Sequence, residues 1–201
     1  MNPSTWPRLL VVDVEGNGAT PPDLVEIAVV PIDGGLARPE QAKCTLVRPP
    51  HPITRFATGV HHITNQDVIG APTWESIAEA VQQDLDGAWI AAHNASVEYT
   101  VLGRHLPAWK PAGVVDTLRL ARAALPDAPK HGLDALITYT GLDTSNIPGK
   151  RHRAAYDAHV TALLLLELAR GYATWDDLIK AAVPPQMPGA PGPDHEEQPL
   201  W

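Results

Sequence analysis

The chain has 201 residues and a mass of 21.6 kDa, room for one domain with a full core and too little for two ordinary domains and a linker. Hydrophobic residues at 44% exclude wholesale disorder, and the longest aliphatic run, Ala162 to Leu166, falls far short of the roughly 18 to 20 residues that cross a bilayer. With 15 Lys and Arg against 23 Asp and Glu, the formal charge of −8 excludes a uniformly basic nucleic-acid glove; it leaves room for a local basic patch and for carboxylates clustered on a divalent cation.

Leu9 to Val12 is a continuous aliphatic run ending at Asp13, and Leu24 to Val30 is a second run broken only by Glu26. Both predict buried strands. Asp33, Gly34 and Gly35 supply turn chemistry before Lys43 to Val47, which predicts a hairpin between the second and third strands. Trp74, Ile77, Val81 and Leu85 recur at helical spacing, with Thr73 as N-cap and Gly87 past the end. Trp89 to Ala92 predicts a short strand leading into His93, Asn94 and Ser96, then a helix that Pro107 stops. Val114 and Val115 form another strand, with Asp116 placed to cap the next helix. A long helix carries Tyr156, Val160, Leu164 and Leu168 on one face and ends at Gly171; a short one starts at Thr174. The first third reads as antiparallel sheet and the remainder as alternating strand and helix. Residues 1–183 form the expected domain. Residues 184–201, with eight Pro or Gly and three carboxylates facing no Lys or Arg, are expected to be a disordered acidic tail.

Cys44 is the only cysteine, so neither an internal disulfide nor a cysteine-based zinc site can form. No basic stretch precedes a long apolar segment near Met1, so no secretory signal is read and a cytoplasmic location is expected.

The chemistry lies in three patterns. Asp13 and Glu15 stand two apart at the end of a strand, so both side chains point to one face, where they repel unless a cation lies between them. They equally suit the mouth of a polar loop before Gly16, Asn17 and Gly18. His152 and Asp157 straddle the start of the long helix, close enough to share a pocket; the alternative is a loop histidine and an aspartate favoured by the helix N-terminus. Glu98 follows the His93–Asn94 turn and reads alone as a solvated glutamate. Their joint order is what points to one site.

In that order the chain resembles the DEDDh family of 3'-5' exonucleases, with a ribonuclease H-like fold, through DVEGNG at 13–18, AHNASVE at 92–98 and HRAAYD at 152–157. The stretches 46–64 and 152–168 are further similar to the exodeoxyribonuclease X group of that family. The resemblance covers roughly residues 8 to 180. It implies an α/β fold with a central mixed five-stranded sheet flanked by helices. Two Mg²⁺ or Mn²⁺ ions would be held by Asp13, Glu15, Glu98 and Asp157, with His152 as general base. It places His61, Asn94, Gly16 and Asn17 at the substrate, and the flanking Lys150, Arg151 and Arg153 suit either a phosphate backbone or a solvated loop. The family usually has Asp where this chain has Glu98, and Thr where it has Val14.

DNA 3' ends are the expected substrate, ahead of RNA. A catalytically weak 3'-end-binding module is a further alternative. A polymerase or sliding clamp docked through the C-terminal QPLW, and a second copy of the chain, are candidate partners; no membrane partner is expected. His62, His105, His159, Trp74 and Trp89 are read as packing or surface residues.

Overall fold

The computed structural model describes residues 6–192. β1 (Leu9–Gly16) and β2 (Leu24–Asp33) are antiparallel neighbours, and left-handed glycines at 34 and 35 turn the chain into β3 (Leu36–Ala37). β4 (Lys43–Leu46) pairs with β2 further along the same edge. α1 (Arg55–His61) and α2 (Trp74–Leu85) lead to β5 (Trp89–Ala92), parallel to β1. α3 (Ser96–His105) then leads to β6 (Gly113–Asp116), parallel to β5. Four helices complete the chain: α4 (Thr117–Ala124), α5 (Leu133–Thr140), α6 (Ala154–Ala169) and α7 (Trp175–Ala182).

The chain thus forms the expected mixed sheet flanked by helices, in the order β3-β2-β1-β5-β6 with β4 also on β2. Among the described residues the sheet has six strands, not five. The additional strand, β3, spans two residues, too few to leave a periodic signal in the sequence. Asp116 caps α4 as expected, its Oδ1 accepting from the amides of Leu118 and Arg119, and Thr174 caps α7 through the amide of Asp177. Trp74 and Trp89 are packing residues: Trp74 Nε1 donates to His105 O, and Trp89 meets Trp175 edge-on.

Strand alternation sorts the core into two layers. Leu9 and Val11 of β1, with Ala28 and Val30 of β2, face α4, α5, α6 and α7; Leu10 and Val12, with Ile27 and Val29, face α2 and α3. α6 lies across the first face and buries Val160, Leu164, Leu165 and Leu168. The same alternation carries Asp13 and Glu15 onto the α6 face, beyond the last apolar pair.

Residues 184–190, which composition assigns to the tail, are instead held against the domain. Pro188 O accepts from Val114 N (3.0 Å), covering the outer edge of β6, and Met187 packs on the layer under α2 and α3. Gly189 is left-handed at φ 79°, and a Cβ there would meet the Trp89 ring at 2.4 Å. The rest of that segment from residue 193 onward, including QPLW, lies outside the described residues. Among the described residues, no helix is long and apolar enough to cross a membrane.

Candidate active site

β1, β5 and β6 run parallel, so their C-terminal ends share one edge of the sheet, the usual location of sites in open α/β sheets. The Asp13–Glu15 pair lies there, as do the 93–96 turn after β5 and Asp116 at the end of β6. α6 starts at the same edge and supplies Asp157 from its first turn. Carboxylate oxygens of Asp13, Glu15 and Asp157 all lie within 4.8 Å of one another. Glu98, from the first turn of α3, is outside that close group, yet its charge is felt at Asp13.

Such crowding changes the acids. Burial, then the charges of Glu98, Asp157 and Glu15, hold the Asp13 carboxyl well above the ordinary carboxylate range. Burial and Asp157 push Glu15 up to about 7. Glu98 is only 6% exposed, and burial pushes it up to about 8; its Oε2 is buried with no hydrogen-bond partner among the described residues. A buried carboxylate oxygen without a donor costs free energy that a cation would recover. Four oxygen-donor side chains, three of them (Asp13, Glu15 and Glu98) of raised proton affinity and one of those orphaned at an oxygen, fit a hard divalent ion.

His152 sits just ahead of α6 in the left-handed region, φ 59°, and its backbone N–H donates to Asp157 Oδ2 (3.0 Å). Its imidazole is exposed and, among the described residues, makes no hydrogen bond, as suits a proton acceptor facing substrate. The basic residues around it have other partners. Arg151 forms ion pairs with Asp157 and Asp134. Arg153 grips Glu26 through two hydrogen bonds, Nε to Oε2 at 3.1 Å and Nη2 to Oε1 at 2.6 Å, and Ala154 N adds a third at 2.8 Å. Glu26 lies opposite Glu15 in the β1–β2 register, so this half-buried pair fastens the start of α6 to the sheet beside the acids. Of the three expected phosphate-binding cations, only Lys150 has no ion-pair partner among the described residues.

The residues expected to touch substrate divide similarly. His61 is buried, its Nδ1 accepting from Ile63 N (3.0 Å), which leaves Nε2 as the donor to Gly16 O (3.2 Å). Both ring nitrogens are spent, Nε2 on the loop after Glu15 and Nδ1 on the chain leaving α1. Asn17 is fully buried: its side chain bridges the amides of Ala19 and Asp23 and the Asp23 carboxylate. Gly16 stands where a Cβ would meet Pro22 at 3.0 Å. These three shape the loop from behind. Asn94 is exposed and left-handed at φ 70°, its amide donating to Asp116 Oδ1, so Asp116 joins the 93–96 turn to α4. His93 reinforces the join through Thr117 Oγ1 and His131 O, both at 3.0 Å.

Sequence reasoning missed the Glu26–Arg153 strut. Its signal was present: Glu26 is the one charge inside an otherwise aliphatic strand, and a buried charge demands a partner.

The exonuclease family model RNase_T matches residues 10–165, a span holding all four acids and His152. The chain is 35% identical over 162 residues to Exodeoxyribonuclease 10 of Escherichia coli (strain K12), covering 80% of this chain and 68% of that protein. It is 34% identical over 178 residues to the DNA polymerase III subunit epsilon-like protein of Rhodobacter capsulatus, covering 83% of this chain and 25% of that one. The solved structure of Exonuclease X in complex with 5' overhanging duplex DNA superposes with a TM-score of 0.72 at 31% identity, over 85% of this chain and 96% of that chain. The nuclease domain of 3'hExo, a DEDDh family member bound to rAMP, shares the fold with a TM-score of 0.67 at 16% identity, over 84% and 94%. With its acids gathered at one sheet edge and matched along most of its length, the chain belongs to the RNase_T exonuclease family and is a 3'-5' exonuclease of the DEDDh type.

Proposed function

We propose that the chain removes nucleoside 5'-monophosphates one at a time from DNA 3' ends, single-stranded or frayed, with two divalent ions and His152 as general base. The observation that carries this reading is the convergence of Asp13, Glu15 and Asp157 within 4.8 Å beside an orphaned Glu98 oxygen. Asp13, Glu15, Glu98 and Asp157 would hold the ions, Mg²⁺ or Mn²⁺. Bound there, the ions supply Lewis-acid stabilisation of the phosphoryl group, the attacking water and the departing 3' oxygen.

The chain's own residues do the rest. An imidazole nitrogen of His152 takes the proton from water as its oxygen attacks phosphorus; the bond to the preceding nucleotide's 3' oxygen breaks, and that oxygen leaves with a proton. The His152 backbone N–H to Asp157 Oδ2 contact ties the base's main chain to a carboxylate that would hold metal. DNA is favoured by the relative named an exodeoxyribonuclease and by the DNA-bound structure that the chain matches at 31% identity.

Digestion of matched DNA and RNA oligonucleotides, labelled at either end, tests the reading. Expected are loss of a 3' label as mononucleotide, DNA cut faster than RNA, and no cleavage in EDTA. His152→Ala should slow cleavage by on the order of 100-fold at unchanged melting temperature. Faster RNA cleavage would overturn the substrate, a His152→Ala variant as fast as wild type would overturn the base, and cleavage in EDTA would overturn the metal mechanism.

A further inference from the structure

Phe56 is the only phenylalanine in the chain and is 81% exposed, the most exposed large hydrophobic residue among the described residues. A lone exposed apolar residue needs no explanation. Its mounting does. α1, which carries it, is tied at both ends to the loop leaving Glu15: Thr54 N donates to Asn17 O (2.9 Å), and His61 Nε2 donates to Gly16 O (3.2 Å). Gly18, left-handed at φ 80°, closes the join, since a Cβ there would lie 2.3 Å from Thr54 Oγ1 and 3.0 Å from Ala57 Cβ. The helix is rigid too, with Thr54 Oγ1 accepting from Ala57 N and a left-handed His62 ending it. Phe56, between Thr54 and Ala57, is therefore fixed beside the loop that follows the catalytic acids.

Ala57 and His61 form the inward face of α1, and Phe56 lies about 100° round the helix from Ala57. One turn further along the Phe56 side is Gly59, which weakens a helix interior and has no packing reason to be there: nothing lies within 4 Å of where its Cβ would stand. A ring flanked by a residue without a side chain leaves a flat apolar shelf. Arg55 is exposed beside it and in no ion pair among the described residues. An aromatic face next to an unpaired cation is how single-stranded nucleic acid is gripped without sequence preference.

We propose that Phe56, with the Gly59 gap and Arg55, is a stacking platform for one base of the strand whose 3' end lies at the acids. The inference rests on the nuclease reading and adds a contact to it. Phe56→Ala should raise KM for a single-stranded DNA 12-mer about tenfold at little changed kcat, and Phe56→Trp should restore it. Gly59→Ala has room in the free protein, so it should melt no lower than wild type and still raise KM. With an abasic nucleotide stepped back from the 3' end, wild type should lose affinity at one position at which Phe56→Ala loses nothing more.

Unchanged KM in Phe56→Ala, or equal abasic losses in both proteins at every position, would overturn the platform while wild-type cleavage upheld the nuclease. Failure of wild type itself to shorten any 3' end would overturn the nuclease reading instead. If Phe56→Ala alters the sedimentation coefficient and leaves KM unmoved, the ring meets a second copy of the chain, and the platform is overturned.

Discussion

At the scale of single residues, Glu98 shows what burying a carboxylate oxygen without a donor costs a fold. Its carboxylate is buried, short of a donor at Oε2, and raised to about 8, so in metal-free protein it strains the fold. Glu98→Gln should therefore raise the melting temperature in EDTA and slow cleavage at least tenfold, about 1.4 kcal/mol of barrier; Glu98→Asp, one methylene shorter, should restore no more than wild-type rate. A Gln variant cleaving at full speed would make Glu98 a bystander. Glu26 predicts the reverse. Removing it leaves Arg153 and the Ala154 amide without their acceptor, so Glu26→Ala should cost about 3 kcal/mol in urea unfolding. A loss under about 1 kcal/mol would mean water replaces the strut. Strand alternation put Asp13 and Glu15 on one face, but the four-acid set, with Glu98 that alone reads as a solvated glutamate, was legible only through the family resemblance. The partners of His61 and Arg153 were not legible, because they lie elsewhere in the chain: Gly16 is 45 residues from His61, and Glu26 is 127 from Arg153.

Secondary-structure elements were legible in proportion to their length and periodicity. α2 was read residue by residue from its apolar spacing, whereas α1, with seven residues, a central glycine and a buried histidine, has no such stripe and is held by its ties to residues 16–18. α5, eight residues long, went unread for the same reason. The segment 184–190 shows composition misleading: proline and glycine suit a disordered tail, and they equally suit a strap along a sheet edge, where few amides are needed. Ending the chain after Val183 would uncover the Val114 amide and the apolar surface under Met187, so it should lower stability by about 2 kcal/mol, or several degrees, relative to a chain ending at Gly192. The acids lie at a different place on the sheet, so cleavage at temperatures well below the melt should persist. Equal melting of the two truncated chains would show that the strap contributes nothing.

For the whole molecule, the mixed sheet explains why acids so distant in sequence share one edge, and why that edge repels itself when bare. The net charge of −8 adds to the burden, and on the proposed mechanism a bound cation would add to the fold's stability as well as supply its chemistry. Protons and metal compete for the same oxygens, which fixes the pH dependence. Asp13, Glu15 and Glu98 have folded pKa values above their unfolded ones. Well below 3.8 both states hold the protons and no penalty exists. As pH rises, the unfolded chain releases them while the folded site still keeps them, so metal-free stability falls until Glu15 and Glu98 ionise near 7 and 8. His61 and His93 pull the other way, because burial lowers their pKa and acid favours the unfolded chain. A curve in EDTA alone therefore mixes two slopes. The difference between melting temperatures in saturating Mn²⁺ and in EDTA removes the histidines, which lie outside the carboxylate group. That difference should be small at pH 5, grow by an amount equivalent to on the order of a few kcal/mol of stability, and level off above pH 8. Asp13→Asn should flatten it. A metal shift that is constant with pH, or larger in acid, would mean that the cation is bound by groups other than these carboxylates.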